Sequence, residues 1–115
     1  MANPSSSKSK IKAVIPKLYD LIQSVVYGDV WQRTELSKRD RSLVTISALI
    51  GMRQFDQLRS HMEKGLDNGL TASEISEAIT HLALYGGFPA SMSAALVAKS
   101  LFIDRGLIPN DGESP

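Results

Sequence analysis

Apolar residues recur at the helical period in every strongly patterned segment of this sequence, and no segment alternates apolar and polar residues as a half-buried strand would. Short breaks containing glycine or proline separate the patterned segments. A chain of 115 residues has room for one domain with one core. The sequence therefore predicts an all-α, single-domain bundle of about five to six helices.

Local start and stop signals set the expected helix bounds. Pro16 and Pro89 are suited to the first turn of a helix. Thr71 followed by Glu74 forms a full capping box, and Gly69 is expected to end the preceding helix in a left-handed conformation. The expected helices cover about residues 16–27, 37–52, 55–67, 71–86 and 89–105.

The two ends of the chain are polar. Residues 1–10 and 107–115 are expected to be disordered tails that flank one helical domain over residues 11–106. The first ten residues lack the apolar stretch of a signal peptide. Apolar runs elsewhere are far shorter than the roughly 20 residues of a membrane span. We therefore expect a cytoplasmic protein with no membrane partner.

Charge and cysteine content exclude several classes of function. Thirteen basic and twelve acidic residues give a net charge of +1, so we expect no nucleic-acid partner. The chain contains no cysteine, which excludes disulfides, thiolate metal sites and a cysteine nucleophile.

One predicted helix is apolar on nearly every side. The segment Leu43–Ile50 (LVTISALI) offers no broad polar face to solvent. A helix of this kind is buried on most sides, either against its own fold or against another subunit. The second possibility predicts a homo-oligomer.

The two histidines, His61 and His81, occupy matching positions on consecutive predicted helices. Each follows an apolar anchor, Phe55 or Ile75, by six residues, which places its ring at the edge of the apolar stripe. One interpretation is a partly buried ring bonded to a backbone carbonyl, and the other is an acid/base group at a cleft. A metal site needs a third ligand, and we expect no acid one turn away on the same face, so no metal is predicted.

Other residues suited to binding lie mostly in the middle of the chain. An arginine guanidinium matches a carboxylate in a bidentate way, although most surface arginines only cover apolar surface. Trp31 and Tyr85 fit either a core or a pocket. The arginines that cluster in the middle third are Arg33, Arg39, Arg41, Arg53 and Arg59.

Three segments, in this order and spacing, resemble the carboxymuconolactone decarboxylase family: GDVWQRTELSKRDRSLVTIS at residues 28–47, HMEKGLDNGLT at 61–71 and HLALYGGFPA at 81–90. The resemblance covers roughly residues 16–103. It implies the alkylhydroperoxidase D-like fold and a hexameric ring of helical protomers.

The redox branch of this family uses two cysteines separated by two residues, with a histidine four residues after the second. The matching positions here are Gln54, Gln57 and His61. Glutamine forms neither a disulfide nor a sulfenic acid, so a thiol peroxidase is excluded.

The other branch decarboxylates γ-carboxymuconolactone during aromatic catabolism, without a cofactor. The resemblance therefore implies a lyase that binds a small carboxylated molecule and needs no cofactor. It implies His61 as the first candidate for acid/base catalysis and His81 as the second. Trp31, Arg33 and Tyr85 are the implied substrate-binding residues.

Two other functions remain open at this point. The first is a non-catalytic oligomeric binding or accessory protein that keeps the fold and has lost the chemistry. The second is a cysteine-free oxidative-stress protein. The chemistry of the site, rather than the fold, has to separate these functions from a decarboxylase.

Overall fold

Capping side chains set the helix bounds in the computed structural model of this protein, which describes residues 7–110. The Ser37 hydroxyl accepts a hydrogen bond from the Asp40 N–H at 3.0 Å. Thr71 and Glu74 form the predicted capping box, with both reciprocal hydrogen bonds at 3.0 Å. Gly69 and Gly106 have positive φ angles two residues after the last residue of the helix that precedes each, where a side chain would add strain.

Within residues 7–110 every regular element is helical, which confirms the predicted all-α class. The last four helices begin and end within one residue of the bounds expected from the sequence. The α-helices are α1 (Ser7–Val14), α2 (Pro16–Leu21), α3 (Lys38–Gly51), α4 (Phe55–Asp67), α5 (Ala72–Gly86) and α6 (Phe88–Asp104). A π-helix (Ile22–Tyr27) continues α2, and a short 3-10 helix (Val30–Gln32) follows it.

The contacts divide the chain into two compact units, with the boundary between Leu36 and Ser37. The N-terminal unit contains α1, α2, the π-helix and the 3-10 helix. Helix α1 was not predicted, and it begins at Ser7, so residues 7–10 of the expected N-terminal tail are helical. Residues 1–6 and 111–115 of the two expected tails lie outside the described part of the chain.

The C-terminal unit contains α3 to α6 around one apolar core. Helix α3 contributes Ile46 and Ile50, which are fully buried, whereas Val44 on its other side is 59% exposed. Only one face of α3 therefore meets the core of its own chain, and burial of the other side against another subunit stays a prediction. The fully buried side chains of the other helices include Leu58, Met62, Ile75 and Leu101.

Helices α3 and α5 run side by side in the same direction. Near their N-terminal ends, the Arg39 guanidinium contacts the Glu74 carboxylate. At their C-terminal ends, an added Cβ on Gly86 would lie 3.5 Å from the Cα of Gly51. Both contacts join residues 35 positions apart, so the two helices keep one register along their whole length.

Helix α6 carries an apolar stripe on its exposed side. Phe88, Met92 and Leu96 are 64%, 68% and 70% exposed, and their spacing of four residues places them on one face. No charged residue occurs between Phe88 and Ala98. The largest exposed apolar side chains of α6 thus form a continuous row.

Candidate active site

A groove of about 400 Å³ lies between α3 and α5. Helix α3 lines it with residues spaced by four, Arg39, Leu43 and Ser47. Helix α5 lines it with residues from three successive turns, Glu74, Glu77, Ala78, His81 and Leu82. This volume is within the range of small-molecule sites, and the walls combine an apolar floor with a few polar groups, as such sites require.

Arg39 and Glu74 form an ion pair at one end of the groove. Arg39 also donates a hydrogen bond to Asp40 at 2.9 Å. Glu74 accepts the Thr71 N–H through its other carboxylate oxygen, so the capping box fixes the position of this side chain. That backbone hydrogen bond lowers the pKa of Glu74, and Arg39 lowers it further, so the carboxylate is ionised at neutral pH.

His81 lines the same groove and is the exposed histidine of the pair. Its ring lies 5.0 Å from the ring of Tyr85, measured between centroids, at an interplanar angle of 34°. Glu77 precedes His81 by one helical turn and lines the groove with it. A carboxylate, an imidazole and a phenol therefore follow one another along this face of α5.

The expectation that no acid shares a face with either histidine is wrong for His81. The signal was present in the sequence, because Glu77 and His81 are four residues apart on a predicted helix. The sequence indicates a capping role for Glu74 and carries no local signal that places Ser47 in a site. Their place in the groove depends on the pairing of α3 with α5, which no local pattern reports.

His61 lies on α4 in a different environment. The ring is half-buried, and its Nδ1 atom is buried without a hydrogen-bond partner among residues 7–110. The first interpretation from the sequence, a partly buried ring bonded to a backbone carbonyl, is therefore not met at Nδ1. Burial lowers the pKa of His61 to about 4, and the nearby Lys64 charge acts in the same direction. The ring is neutral at pH 7.

Trp31 and Arg33 belong to the N-terminal unit. The Trp31 ring stacks on Tyr27 at a centroid distance of 6.0 Å. The Arg33 guanidinium lies 3.7 Å from the Glu35 carboxylate. Of the predicted site residues, the structure brings His81 and Tyr85 together, and the assignment of Trp31 and Arg33 to the substrate site stays a prediction.

Within the described residues, no three histidine or acidic side chains are grouped closely enough to hold a metal ion. No helix of this part of the chain is both long enough and apolar enough to cross a membrane.

The fold and the groove define a class of small all-helical proteins that present imidazole, carboxylate and guanidinium groups to a shallow, partly apolar site. Residues 16–100 match the carboxymuconolactone decarboxylase family. This chain belongs to that family, as its sequence motifs predicted.

Two curated relatives carry names that describe an activity. The chain is 40% identical over 90 residues to a 4-carboxymuconolactone decarboxylase of Acinetobacter baylyi, covering 78% of this chain and 67% of the relative. It is 36% identical over 85 residues to a nitrosuccinic acid decarboxylase of Metarhizium robertsii, covering 74% of this chain and 59% of the relative. An uncharacterized 15.0 kDa protein of Paracoccus denitrificans is 28% identical over 108 residues, covering 90% of this chain and 81% of the relative.

Proposed function

We propose that this protein is a cofactor-free decarboxylase of a small dicarboxylic acid whose leaving carboxylate is bonded to a carbon next to an electron sink. Membership of the family supports this class of reaction. The named activities of the two relatives, which both remove a carboxyl group, support it further. The chain spans about two thirds or less of the length of these relatives, so their activities serve here as a guide to chemistry.

The two acids named in the relatives share one feature that decides the chemistry. In 4-carboxymuconolactone the electron pair of the breaking C–C bond passes through the ring alkene to the lactone carbonyl. In nitrosuccinic acid the same pair passes directly to the nitro group. In both cases CO₂ leaves, an anion forms on oxygen, and a proton must then be added to carbon. The protein needs to position the acid, stabilise the anion and deliver that proton.

The groove between α3 and α5 contains groups for each of these tasks, and His81 is the observation that carries the proposal. His81 lines the groove, and its exposed ring can exchange a proton with solvent between turnovers. Leu43, Ala78 and Leu82 provide an apolar surface against which loss of a carboxylate charge is favoured. The Ser47 hydroxyl lies in the same groove and can donate to an oxygen anion.

His61 takes a different part in this proposal from the one the sequence suggests. A ring with a pKa of about 4 carries a proton in only about 0.1% of molecules at pH 7, so it is a poor proton donor. As a neutral ring it remains able to accept a proton or a hydrogen bond. We therefore place His81 first as the group that protonates carbon.

Two substitutions test this ranking. His81→Gln should lower the rate of CO₂ release from nitrosuccinate or 4-carboxymuconolactone by about 10²- to 10⁴-fold, as expected for loss of a general acid. His61→Gln should retain more activity than His81→Gln at pH 7. Release of CO₂ at the wild-type rate by His81→Gln would contradict the assigned role. If the wild-type protein binds these acids without releasing CO₂, the non-catalytic binding function becomes the better interpretation.

We also propose that the protein acts as a homo-oligomer, with a second copy of the chain covering the stripe of Phe88, Met92 and Leu96. Three large apolar side chains at about two-thirds exposure form a patch larger than scattered surface residues produce. The absence of charge along this part of α6 fits a surface that meets its own copy. The hexameric ring remains a prediction of the family resemblance, and the cytoplasmic location remains a prediction from the apolar pattern of the sequence.

A further inference from the structure

The ion pair at the end of the groove links two helices and also faces the space that a ligand would occupy. Arg39 and Glu74 both line the groove. Their side chains are 39% and 42% exposed, so a ligand in the groove can reach them. We propose that Arg39 is the anchor for one carboxylate of the substrate, and that Glu74 occupies this anchor until the substrate carboxylate displaces it. This inference rests on the proposed function, because it names the residue that selects a dicarboxylic acid.

The charges in the groove explain why an anchor is needed. Glu74 and Glu77 are two acidic side chains against one arginine, and the Asp40 carboxylate takes another hydrogen bond from that arginine. An incoming anion therefore meets repulsion from fixed carboxylates and one cationic group that is already paired. A ligand whose carboxylate replaces Glu74 on the guanidinium gains a charge-assisted hydrogen bond there.

Glu74 is suited to release Arg39 without disturbing the helix. Its Oε1 atom accepts the Thr71 N–H, and Thr71 accepts the Glu74 N–H in return. Only the other oxygen, Oε2, contacts Arg39. A ligand can therefore replace Glu74 on the guanidinium while the capping box stays intact. The carboxylate that remains nearby then disfavours any ligand that cannot bind Arg39 well.

The position of Arg39 relative to His81 fits a substrate with two functional ends. Glu74 and His81 are seven residues apart on α5, which is about 10 Å along the helix axis. The Leu43 and Ala78 side chains line the groove between them. A carboxylate held at Arg39 places the rest of a small dicarboxylic acid over this apolar surface and toward His81.

Opposite effects of two charge-removing substitutions test the inference. The probe is succinate, a dicarboxylate without an electron sink, and its affinity is measured by calorimetry at low salt. Arg39→Gln should weaken succinate binding by about tenfold or more, the loss expected for one charge-assisted hydrogen bond. Glu74→Gln should strengthen succinate binding by several-fold, because it frees Arg39 while glutamine still satisfies the capping box.

A matched control separates binding from stability. Arg59 also bridges two helices, with a 2.7 Å ion pair to Asp104, and its side chain is 38% exposed. Arg59→Gln should leave succinate affinity unchanged. If the Arg39–Glu74 pair only holds α3 to α5, both of its glutamine variants should lower the melting temperature and change succinate affinity in the same direction. That result would overturn the inference.

Turnover distinguishes this inference from the proposed function. In an active protein, Arg39→Gln should raise KM with little change in kcat, and Arg39→Lys should recover part of the loss, since lysine keeps the charge without the bidentate geometry. An unchanged KM in an active Arg39→Gln variant would refute the anchor and leave the decarboxylase intact. Opposite shifts in succinate affinity without any CO₂ release would support the anchor and refute the decarboxylase.

Discussion

Acidification should destabilise this protein through His61, and the size of the effect follows from its surroundings. Burial and the Lys64 charge lower the pKa of the folded ring to about 4 from the ordinary 6.5. In the unfolded chain the ring binds a proton near pH 6.5, but in the folded chain it does so only near pH 4. The unfolded state therefore holds more protons between these values, and the free energy of unfolding falls as the pH is lowered through this window.

The magnitude is set by the difference between the two pKa values. An undiscounted shift of this size corresponds to about 3 kcal/mol. Because the ring is only half-buried, solvent screens part of the interaction, and we expect about 1–2 kcal/mol. Above pH 6.5 the ring is neutral in both states, and its contribution no longer changes with pH.

Denaturation by urea at pH 7 and pH 4.5, at one protein concentration, measures this effect. Between pH 7 and pH 4.5 the free energy of unfolding should fall by about 1–2 kcal/mol more in the wild-type protein than in His61→Gln, because the variant has no ring to protonate. Carboxylates contribute equally to both proteins and cancel in the comparison. An equal loss in the wild type and His61→Gln would refute the assignment of a depressed pKa to His61.

Two further substitutions test the packing and the exposed surface. Gly65→Ala should cost about 1–3 kcal/mol of stability by overpacking, because its Cβ would lie 2.8 Å from Leu70. Gly51→Ala is the matched control, with nothing within 4 Å, and should be neutral or stabilising in denaturant titrations. Met92→Glu should shift the sedimentation coefficient toward that of a monomer. Equal stabilities of the two alanine variants, or a wild type that sediments as a monomer at micromolar concentration, would contradict these expectations.

Local signals in the sequence were sufficient for helices α3 to α6 and their ends. The capping box at Thr71 and Glu74 depends on residues three positions apart, and the positive φ angle of Gly69 depends on the preceding helix. Helix α1 was missed because the polar composition of residues 1–10 predicts a tail more strongly than a helix. A composition argument does not detect a short helix of this kind.

The family could also be predicted from the sequence, because three motifs in the right order were enough to identify it. Neither the order of motifs nor helical periodicity shows which side chains meet across the core. Arg39 and Glu74 are 35 positions apart, and only the parallel packing of α3 on α5 brings them to the same end of one groove.

The two histidines show most directly what the tertiary structure decides. In the sequence they are equivalent, each six residues after an apolar anchor and each at the edge of an apolar stripe. In the folded protein His61 is half-buried with a lowered pKa, whereas His81 is exposed in a groove beside Tyr85. Periodicity fixes the angle of a side chain around its own helix. The burial and the pKa of that side chain depend on what the neighbouring helices place against it, and this is decided only when the helices pack.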